Sequence, residues 1–310
     1  MNEDIESILE KEDISNFDKD ICMMTRREIF KHFRFKSSRK INPTKLLKNL
    51  VWQNYCWISS GKTPPVEGNL RSFWYSHTKP LLSRLRFDVG NKKYVLKLSD
   101  VFVELITKYR LFCYVDFGFF DAREHFRSIG KNNGNLILFI EKEGLYYNAK
   151  KIAEKYDATS IASKGFPNHI TTEFFIRDMA NNGLLREPVH IFGVVDYDPS
   201  GYWILKEFEK QLLGYGVEVA SCHSLVTPEI VSNIEYNKFK LGKGHRVANW
   251  LEMTGGIDGE SYGLEANALK SFEIRDVFEK SIQPYLAGSS QAFAPQTISK
   301  EKAAWLRWLC

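Results

Sequence analysis

The sequence has few cysteines and no long apolar run, and each of these absences excludes a class of protein. No apolar run approaches the roughly 18 residues that a membrane-spanning helix needs, so no membrane span is expected. The start of the chain lacks the charged-then-apolar pattern of a signal peptide, which predicts a soluble intracellular protein of the cytoplasm, nucleoid or nucleus. The five cysteines are odd in number, widely spaced and without a Cys-x-x-Cys pair, so neither a zinc site nor a disulfide framework is expected.

The net charge is also low, at +5, and alone gives weak evidence for a nucleic-acid partner. Its distribution is more informative, because residues 1–20 hold eight acids against two lysines, whereas residues 25–48 hold nine cations against Glu28 alone. Phenylalanines are interleaved with these cations, and such a stretch can neutralise several phosphates of double-stranded DNA. A solvated helix face beside a core strip is the competing interpretation. The predicted DNA contacts, which include two later basic sites, are Arg26, Arg27, Lys31, Arg34, Lys36, Lys92, Lys93 and Lys164.

Two short apolar runs in the second half of the chain end in acidic residues. Leu136–Glu143 reads LILFIEKE, and His190–Gly201 reads HIFGVVDYDPSG. Apolar runs of this length without alternation are typical of strands buried on both faces, and the alternation of strand and helix patterns around them predicts an α/β fold. Because functional groups collect at the carboxyl ends of parallel strands, Glu141, Asp196 and Asp198 are expected to meet there and bind Mg²⁺. Strands are predicted at 136–140, 159–163, 190–195 and 216–220, and helices at 146–156, 171–182 and 200–214.

The first half of the chain has mainly helical patterns. Helices are predicted at 21–35, at 42–57 and at 69–85, and Ser99 is expected to cap a further helix to about residue 109. Arg86–Val95 has the pattern of two short strands around a Gly-Asn turn, and a basic hairpin after helices is typical of a winged helix. The predicted divisions are a loosely helical or poorly ordered acidic arm (1–20), a winged-helix DNA-binding domain (21–110), a linker ending in the Gly- and Asn-rich stretch 130–135 (111–135), and an α/β domain with a C-terminal extension (136–310).

Three motifs resemble those of the Toprim domain of topoisomerase VI A subunits, which the meiotic double-strand-break transesterase shares. They are Phe139–Gly144, Lys164–Pro167 and Asp196–Gly201, and they occur in the order of the family. The resemblance covers about residues 136–215 and implies a Rossmann-like Toprim fold. In that family the first glutamate and the Asp-x-Asp pair hold Mg²⁺, which implies Glu141, Asp196 and Asp198 as the metal ligands here. The resemblance also implies a catalytic role for Glu141.

The resemblance is weaker from residue 216 to residue 310. Within that region Gly263–Leu269 is similar to a segment with a glutamate that occurs late in some related Toprim proteins. At this position Glu265 is expected to be a buried structural acid rather than a metal ligand.

The family also implies a winged-helix domain with a nucleophilic tyrosine in an Arg-x-aromatic-aromatic-Tyr setting. Leu70–Ser76 supplies the arginine, both aromatics and the tyrosine in order, with Ser72 where the family usually has an acid. Arg27–Lys31 matches the arginine and the acid but has lysine in the tyrosine position, so an enzyme aligned in this way would lack the nucleophile. We prefer Tyr75 as nucleophile, with Arg71 favouring its phenolate. The competing interpretation of Tyr75 is a core aromatic.

The resemblance implies a homodimer that cuts both strands of DNA through 5′-phosphotyrosyl bonds, with the tyrosine of one protomer meeting the acids of the other. No ATPase motif is present, because Ser60–Thr63 has the end of a phosphate-binding loop but Cys56 stands where the loop requires glycine. ATP would then be bound by a separate B-type partner. The leading hypothesis is the A subunit of a type IIB topoisomerase or a close relative. The alternatives are a hydrolytic Toprim nuclease of a plasmid-defence complex, in which Tyr75 is structural, and a non-catalytic DNA-binding module.

Overall fold

The fold is described from a computed structural model, which covers residues 5–232, 238–257 and 259–286. The chain divides into two compact units between Phe120 and Asp121, called unit 1 and unit 2 below. The predicted C-terminal extension lies partly outside the described residues. Within the described ranges, no helix is both long and apolar enough to cross a membrane.

Unit 1 is helical, as predicted, and its longest helix begins where the sequence places it. The side chain of Asn42 accepts hydrogen bonds from the amides of Thr44 and Lys45, and Pro43 occupies the first turn, where its missing N–H is not needed. The helices are α1 (Ile5–Lys11), α2 (Arg26–Phe33), α3 (Pro43–Ser59), α4 (Leu70–Phe73), α5 (Lys79–Arg84) and α6 (Lys93–Val103), with π-helical segments at Trp74–Thr78 and Glu104–Lys108.

The acidic N-terminal segment contains the helix α1, which agrees with the helical form of the predicted arm, but its described residues are packed on α3 and are not loose. Ile8 and Ile14 are buried, and the amide of Ser15 donates to the Asn49 side chain at 2.8 Å. Lys48 of α3 pairs with Glu12 of the segment. Polar side chains of α3 are buried and need partners, and the backbone and acids of this segment supply them.

The predicted wing is absent from the described residues 86–95. Asx-type turns occupy this stretch instead, because Asp88 accepts from the amide of Gly90 and Asn91 accepts from the amide of Lys93. Helix α6 then begins at Lys93, six residues before the predicted cap Ser99. Leu98 and the buried residues after it have helical spacing. This spacing outweighs the short alternation of residues from which the hairpin was predicted.

Unit 2 contains a five-stranded sheet in the order β1-β3-β2-β4-β5, in which β1 is antiparallel to β3 and the other neighbours are parallel. This confirms the α/β prediction and three of its strands, while the fourth begins three residues later than predicted. The last residues of the predicted linker, 133–135, belong to β2. The strands are β1 (Arg127–Ser128), β2 (Asn133–Ile140), β3 (Ala158–Ala162), β4 (Val189–Val194) and β5 (Val219–Ser224), with a two-stranded sheet of β6 (Lys238–Lys240) and β7 (Tyr262–Leu264).

Helices cover both faces of the five-stranded sheet. On one face Leu138 and its alternate neighbours pack with residues of α7 and α12, including Phe278. On the other face Phe139 stacks on Phe208 of α9 with ring centroids 4.5 Å apart. The helices of unit 2 are α7 (Glu143–Lys155), α8 (His169–Asn181), α9 (Pro199–Gly214), α10 (Pro228–Ser232), α11 (His245–Thr254) and α12 (Ser271–Ile282).

The strand order creates a switch point between β2 and β4. The chain leaves β2 toward β3 on one side, and the later strands β4 and β5 are added on the other side. Right-handed connections that run in opposite directions place their helices on opposite faces and open a crevice at the carboxyl ends of the two central strands. The two predicted acidic motifs follow these two strands.

Candidate functional site

Glu141 and Asp196 lie side by side at the switch point. The amide of Glu141 donates to the carbonyl of Val194 at 3.0 Å, so β2 and β4 stay paired up to the first acid. One oxygen of the Glu141 carboxylate accepts from the amide of Asp196 at 2.9 Å. The structure therefore brings together two of the three carboxylates that the sequence predicted to meet.

The ammonium group of Lys142 lies between these two carboxylates. Its Nζ is 3.0 Å from Glu141 Oε1 and 2.7 Å from Asp196 Oδ2. The other oxygen of Asp196 accepts from the amide of Ala266 at 2.8 Å. Each carboxylate thus has one oxygen held by a backbone N–H and the other directed at a common positive charge.

Burial makes it energetically costly to keep both carboxylates charged. Glu141 is 4% exposed and Asp196 is 8% exposed. Burial raises the pKa of Glu141, and the charge of Asp196 adds to that effect. Burial alone lowers the pKa of Lys142, but its hydrogen bonds to Asp196 and Glu141 outweigh this and raise it. Two buried carboxylates require a compensating cation, and Lys142 supplies it in this structure.

The residues fit a hard divalent cation only in part. Two carboxylate oxygens converge within 3.0 Å of one point, and carboxylates with water are the ligands that Mg²⁺ prefers. Asp198 does not join them, because its carboxylate caps α9 and accepts from the amide of Gly201 at 2.7 Å. Across the described ranges, no three His, Cys, Asp or Glu side chains are grouped closely enough to hold a metal ion together. The structure therefore brings together two of the three predicted ligands, and a metal-binding role for Asp198 stays a prediction.

The start of α9 is pressed against the backbone of Asp196. A Cβ atom added at Gly201 would lie 2.1 Å from the carbonyl oxygen of Asp196 and 2.8 Å from its nitrogen. Only glycine permits this approach, so the DYDPSG motif requires Gly201 for packing as well as Asp198 for the cap.

A late segment of the chain holds the second acid in place, and sequence reasoning missed its role. Tyr197 and Leu264 exchange two backbone hydrogen bonds, at 2.8 and 3.2 Å, and the amide of Ala266 donates to Asp196. Glu265, between them, is exposed, so the prediction of a buried structural acid is wrong. The contact is made by backbone atoms, and no side-chain pattern could have indicated it.

Tyr75 in unit 1 is half exposed, so its interpretation as a core aromatic is wrong. Its neighbours Phe73 and Trp74 supply the core contacts instead. Arg71 and Lys79 place their cationic groups 5.7 and 4.9 Å from the centre of the Tyr75 ring. Hydrogen bonding with Arg71 and the charges of Arg71 and Lys79 lower the pKa of the tyrosine.

The backbone around Tyr75 is a π-helical segment. The amide of Lys79 donates to the carbonyl of Trp74, five residues earlier, and Pro80 follows with no N–H to give. A proline inside a helix removes one hydrogen bond, and a π turn is one way to accommodate it. Such segments are frequent at functional sites.

The side chains predicted to contact DNA are all exposed. Those of residues 26–36 lie on and after α2, whose opposite face buries Ile29 and Phe33. Lys164 pairs with Glu143 at 3.2 Å. The exposed set is Arg26, Arg27, Lys31, Arg34, Lys36, Lys92, Lys93 and Lys164.

Chemically, unit 2 offers a buried carboxylate pair that shares one cation, and unit 1 offers an exposed tyrosine whose ionisation is favoured by two cations. Comparison with protein-family models and with curated proteins finds no match to this chain. The function is therefore inferred from these residues.

Proposed function

We propose that this chain is a Mg²⁺-dependent enzyme that cleaves double-stranded DNA by tyrosine transesterification, as the A subunit of a type IIB topoisomerase or a close relative. The observation that carries the proposal is the convergence of Glu141 and Asp196 on one cation at the switch point. The motifs that bring them there are the ones that resemble the Toprim domain. In this proposal unit 2 is a Toprim domain and unit 1 is a helical DNA-binding domain.

Glu141 and Asp196 would hold Mg²⁺ by the oxygens that now face Lys142. Mg²⁺ bound there would neutralise charge on the phosphoryl oxygens of the DNA. The amides of Asp196 and Ala266 fix the remaining carboxylate oxygens, so the two acids keep their orientation without a metal. Lys142 would balance their charge until a metal ion takes its place, so the two buried carboxylates would not be left without a cation.

Tyr75 would be the nucleophile. A phenol with an ordinary pKa near 10 is mostly protonated at neutral pH, and Arg71 and Lys79 shift it toward the reactive phenolate. Attack of its oxygen on a phosphodiester forms the phosphotyrosyl bond and breaks the bond from phosphorus to the 3′ oxygen. The tyrosine proton ends on the released 3′ hydroxyl, and the DNA 5′ end stays on the protein. Reversal of these steps reseals the strand.

The partners proposed from the same family are double-stranded DNA, a second copy of the chain and an ATPase B-type subunit. A homodimer supplies two tyrosines and two acid sites, which is what cleavage of both strands requires. The exposed cations on and after α2 are the proposed contacts to DNA phosphates.

A hydrolytic Toprim nuclease is the second candidate, and one observation favours it. The family usually has an acid where this chain has Ser72, and Ser72 takes part instead in a capping box with Asn69 at the start of α4. In a nuclease the two acids of unit 2 would direct a water molecule, and no covalent intermediate would form.

The test is whether DNA ends carry protein. Supercoiled plasmid is incubated with the chain and Mg²⁺, with and without a candidate ATPase partner. The reaction is quenched with detergent, and the DNA products are compared before and after protease treatment. We expect protein-linked 5′ ends with the wild type and none with Tyr75→Phe, because phenylalanine lacks the attacking oxygen. Tyr147→Phe is the matched control, since Tyr147 is another exposed tyrosine, on α7. Free ends that persist in Tyr75→Phe would contradict the transesterase and select the nuclease.

Replacing Lys142 by methionine should increase the affinity for Mn²⁺, used as a probe for Mg²⁺, by about fivefold to tenfold. The bound metal must displace the Lys142 ammonium from the two carboxylates, and methionine removes this competitor. Titration calorimetry measures the change without any cleavage. Lys151→Met is the control, because Lys151 is an exposed lysine on α7, the helix that Lys142 precedes. Weaker or unchanged Mn²⁺ binding in Lys142→Met would show that the metal binds elsewhere.

A further inference from the structure

A groove of about 420 Å³ opens in unit 2 beside the first turn of α9. Pro199 and Ser200 form part of its wall and stand three and four residues after Asp196, so the groove begins near the candidate metal centre. Two aromatic side chains line it, Phe166 and Trp203, and they are 58% and 41% exposed. Large apolar rings exposed together at a concave surface indicate a ligand that covers them.

Phe166 is held outward by a fixed turn. Lys164 and Gly165 have positive φ angles of 56° and 85°, which turn the chain sharply after β3. The amide of Gly165 donates to the carbonyl of Glu141 at 3.1 Å, and the hydroxyl of Ser163 donates to the carbonyl of Gly165 at 2.6 Å. The turn is therefore tied to the strand that carries the first acid, and the exposure of Phe166 is built into the fold.

The charge of the groove is positive. Lys206 and Lys210 lie on successive turns of α9 on the side of Trp203, and Arg246 approaches from the first turn of α11. Among the described residues that line this groove, Glu207 is the one acid. Its carboxylate is 3.7 Å from Lys210, and Lys206 pairs with Glu209 at 2.7 Å. With both of these glutamates counted, the three cations leave a net charge of +1, which favours an anionic ligand.

Aromatic faces interleaved with cations are the recognition surface for unpaired nucleic acid. Bases of a single strand can stack on exposed rings, while cations contact the phosphates between them. Bases within a duplex are already stacked on each other and cannot do this. An uncharged apolar ligand would use the rings but would leave the positive charge of the groove unmatched.

We propose that this groove binds an unpaired stretch of DNA next to the cleavage centre, with bases on Phe166 and Trp203 and phosphates on Lys210 and Arg246. The identity of the nucleic acid as DNA rests on the proposed function. The groove would then hold a strand that has been opened or displaced beside the scissile phosphate. Its affinity is set by stacking and charge and has little dependence on sequence.

The test measures binding of a labelled oligothymidine of about 12 nucleotides, which is within the usual site size for such surfaces. Fluorescence anisotropy is recorded with the full chain in EDTA, so that no metal-dependent cleavage occurs. We expect Trp203→Ala to weaken binding by about tenfold, because one stacking platform is lost. Lys210→Ala should weaken it about two- to fivefold and make the dependence on salt less steep.

Two variants on α7 serve as controls. Tyr147→Ala removes an exposed aromatic and Lys151→Ala removes an exposed cation, and neither residue lines the groove. Both should bind the oligonucleotide like the wild type. Thermal unfolding of each variant checks that the fold is kept, which is expected because all four side chains are at least partly exposed.

Unchanged binding in both Trp203→Ala and Lys210→Ala overturns the inference. Equal weakening for single-stranded and blunt duplex DNA also overturns it, because the groove would then contact phosphates only. These outcomes are independent of the cleavage assay. If the groove variants lose oligonucleotide binding but the wild type forms no protein-linked ends, the groove inference stands and the transesterase is rejected. If the wild type forms protein-linked ends but the groove variants bind normally, the transesterase stands and the groove inference is rejected.

Discussion

Asp196→Asn is expected to slow DNA cleavage by about 10²- to 10³-fold. The substitution keeps the shape of the side chain, and its Oδ1 can still accept from the amide of Ala266. It removes the negative charge and replaces the oxygen that faces Lys142 by an NH₂ group, which repels a cation. In the proposed mechanism two carboxylates hold Mg²⁺, and this variant would leave Glu141 alone to do so.

The rate is measured on supercoiled plasmid over a range of Mg²⁺ concentrations. A partial recovery at high Mg²⁺ is expected, because the remaining carboxylate still binds the ion weakly. Asp276→Asn on α12 is the control, since Asp276 is an exposed acid that pairs with its neighbour Arg275. A loss of less than tenfold in Asp196→Asn would exclude this carboxylate as a metal ligand.

Gly201→Ala is expected to lower the free energy of unfolding of unit 2 by about 3 kcal/mol. The new Cβ would lie 2.1 Å from the carbonyl oxygen of Asp196, and both atoms belong to the backbone or are fixed to it. No side-chain rotation can relieve that contact, so α9 and the loop from Asp196 to Asp198 must move apart. The hydrogen bond from the Gly201 amide to Asp198 would lengthen or break as they separate.

Gly144→Ala is the matched control for this prediction. Nothing lies within 4 Å of a Cβ built at Gly144, which is in the first turns of α7. Alanine there should leave stability unchanged or raise it by up to about 1 kcal/mol, because it restricts the unfolded chain. Urea unfolding of both variants against the wild type gives the difference, and wild-type stability of Gly201→Ala would contradict the packing described here.

The central sheet could be predicted because each of its two central strands corresponds to one continuous apolar run of residues. Strands buried on both faces leave unbroken apolar runs, and Leu136–Ile140 and His190–Val195 are such runs with acids directly after them. The meeting of Glu141 and Asp196 then follows from parallel pairing. The competition between Asp198 as ligand and as cap could not be decided in advance, because Asp followed by Pro, Ser and Gly suits both.

Other features depend on contacts between distant parts of the chain. The place of Lys142 between the two acids depends on how β2 and β4 pair, and the contact from Ala266 uses a backbone amide that any residue would supply. The wing was predicted from ten residues whose alternation is too short to exclude a helix. Helix α6 contacts α3 and buries Leu98 and Phe102, and this burial favours the helix over the hairpin.

The packing of the acidic N-terminal segment on α3 changes what the basic stretch can offer to DNA. Glu12 engages Lys48, and Asp13 lies 2.7 Å from Lys45, so two of the nine cations counted in residues 25–48 are already balanced within the fold. A cation releases a bound salt ion on DNA binding only if it is free to replace that ion on a phosphate. The segment therefore behaves as a tethered counterion. For the proposed binding of this stretch to DNA, we expect a salt dependence that is set by its exposed arginines and lysines and is shallower than a count of its charges would give.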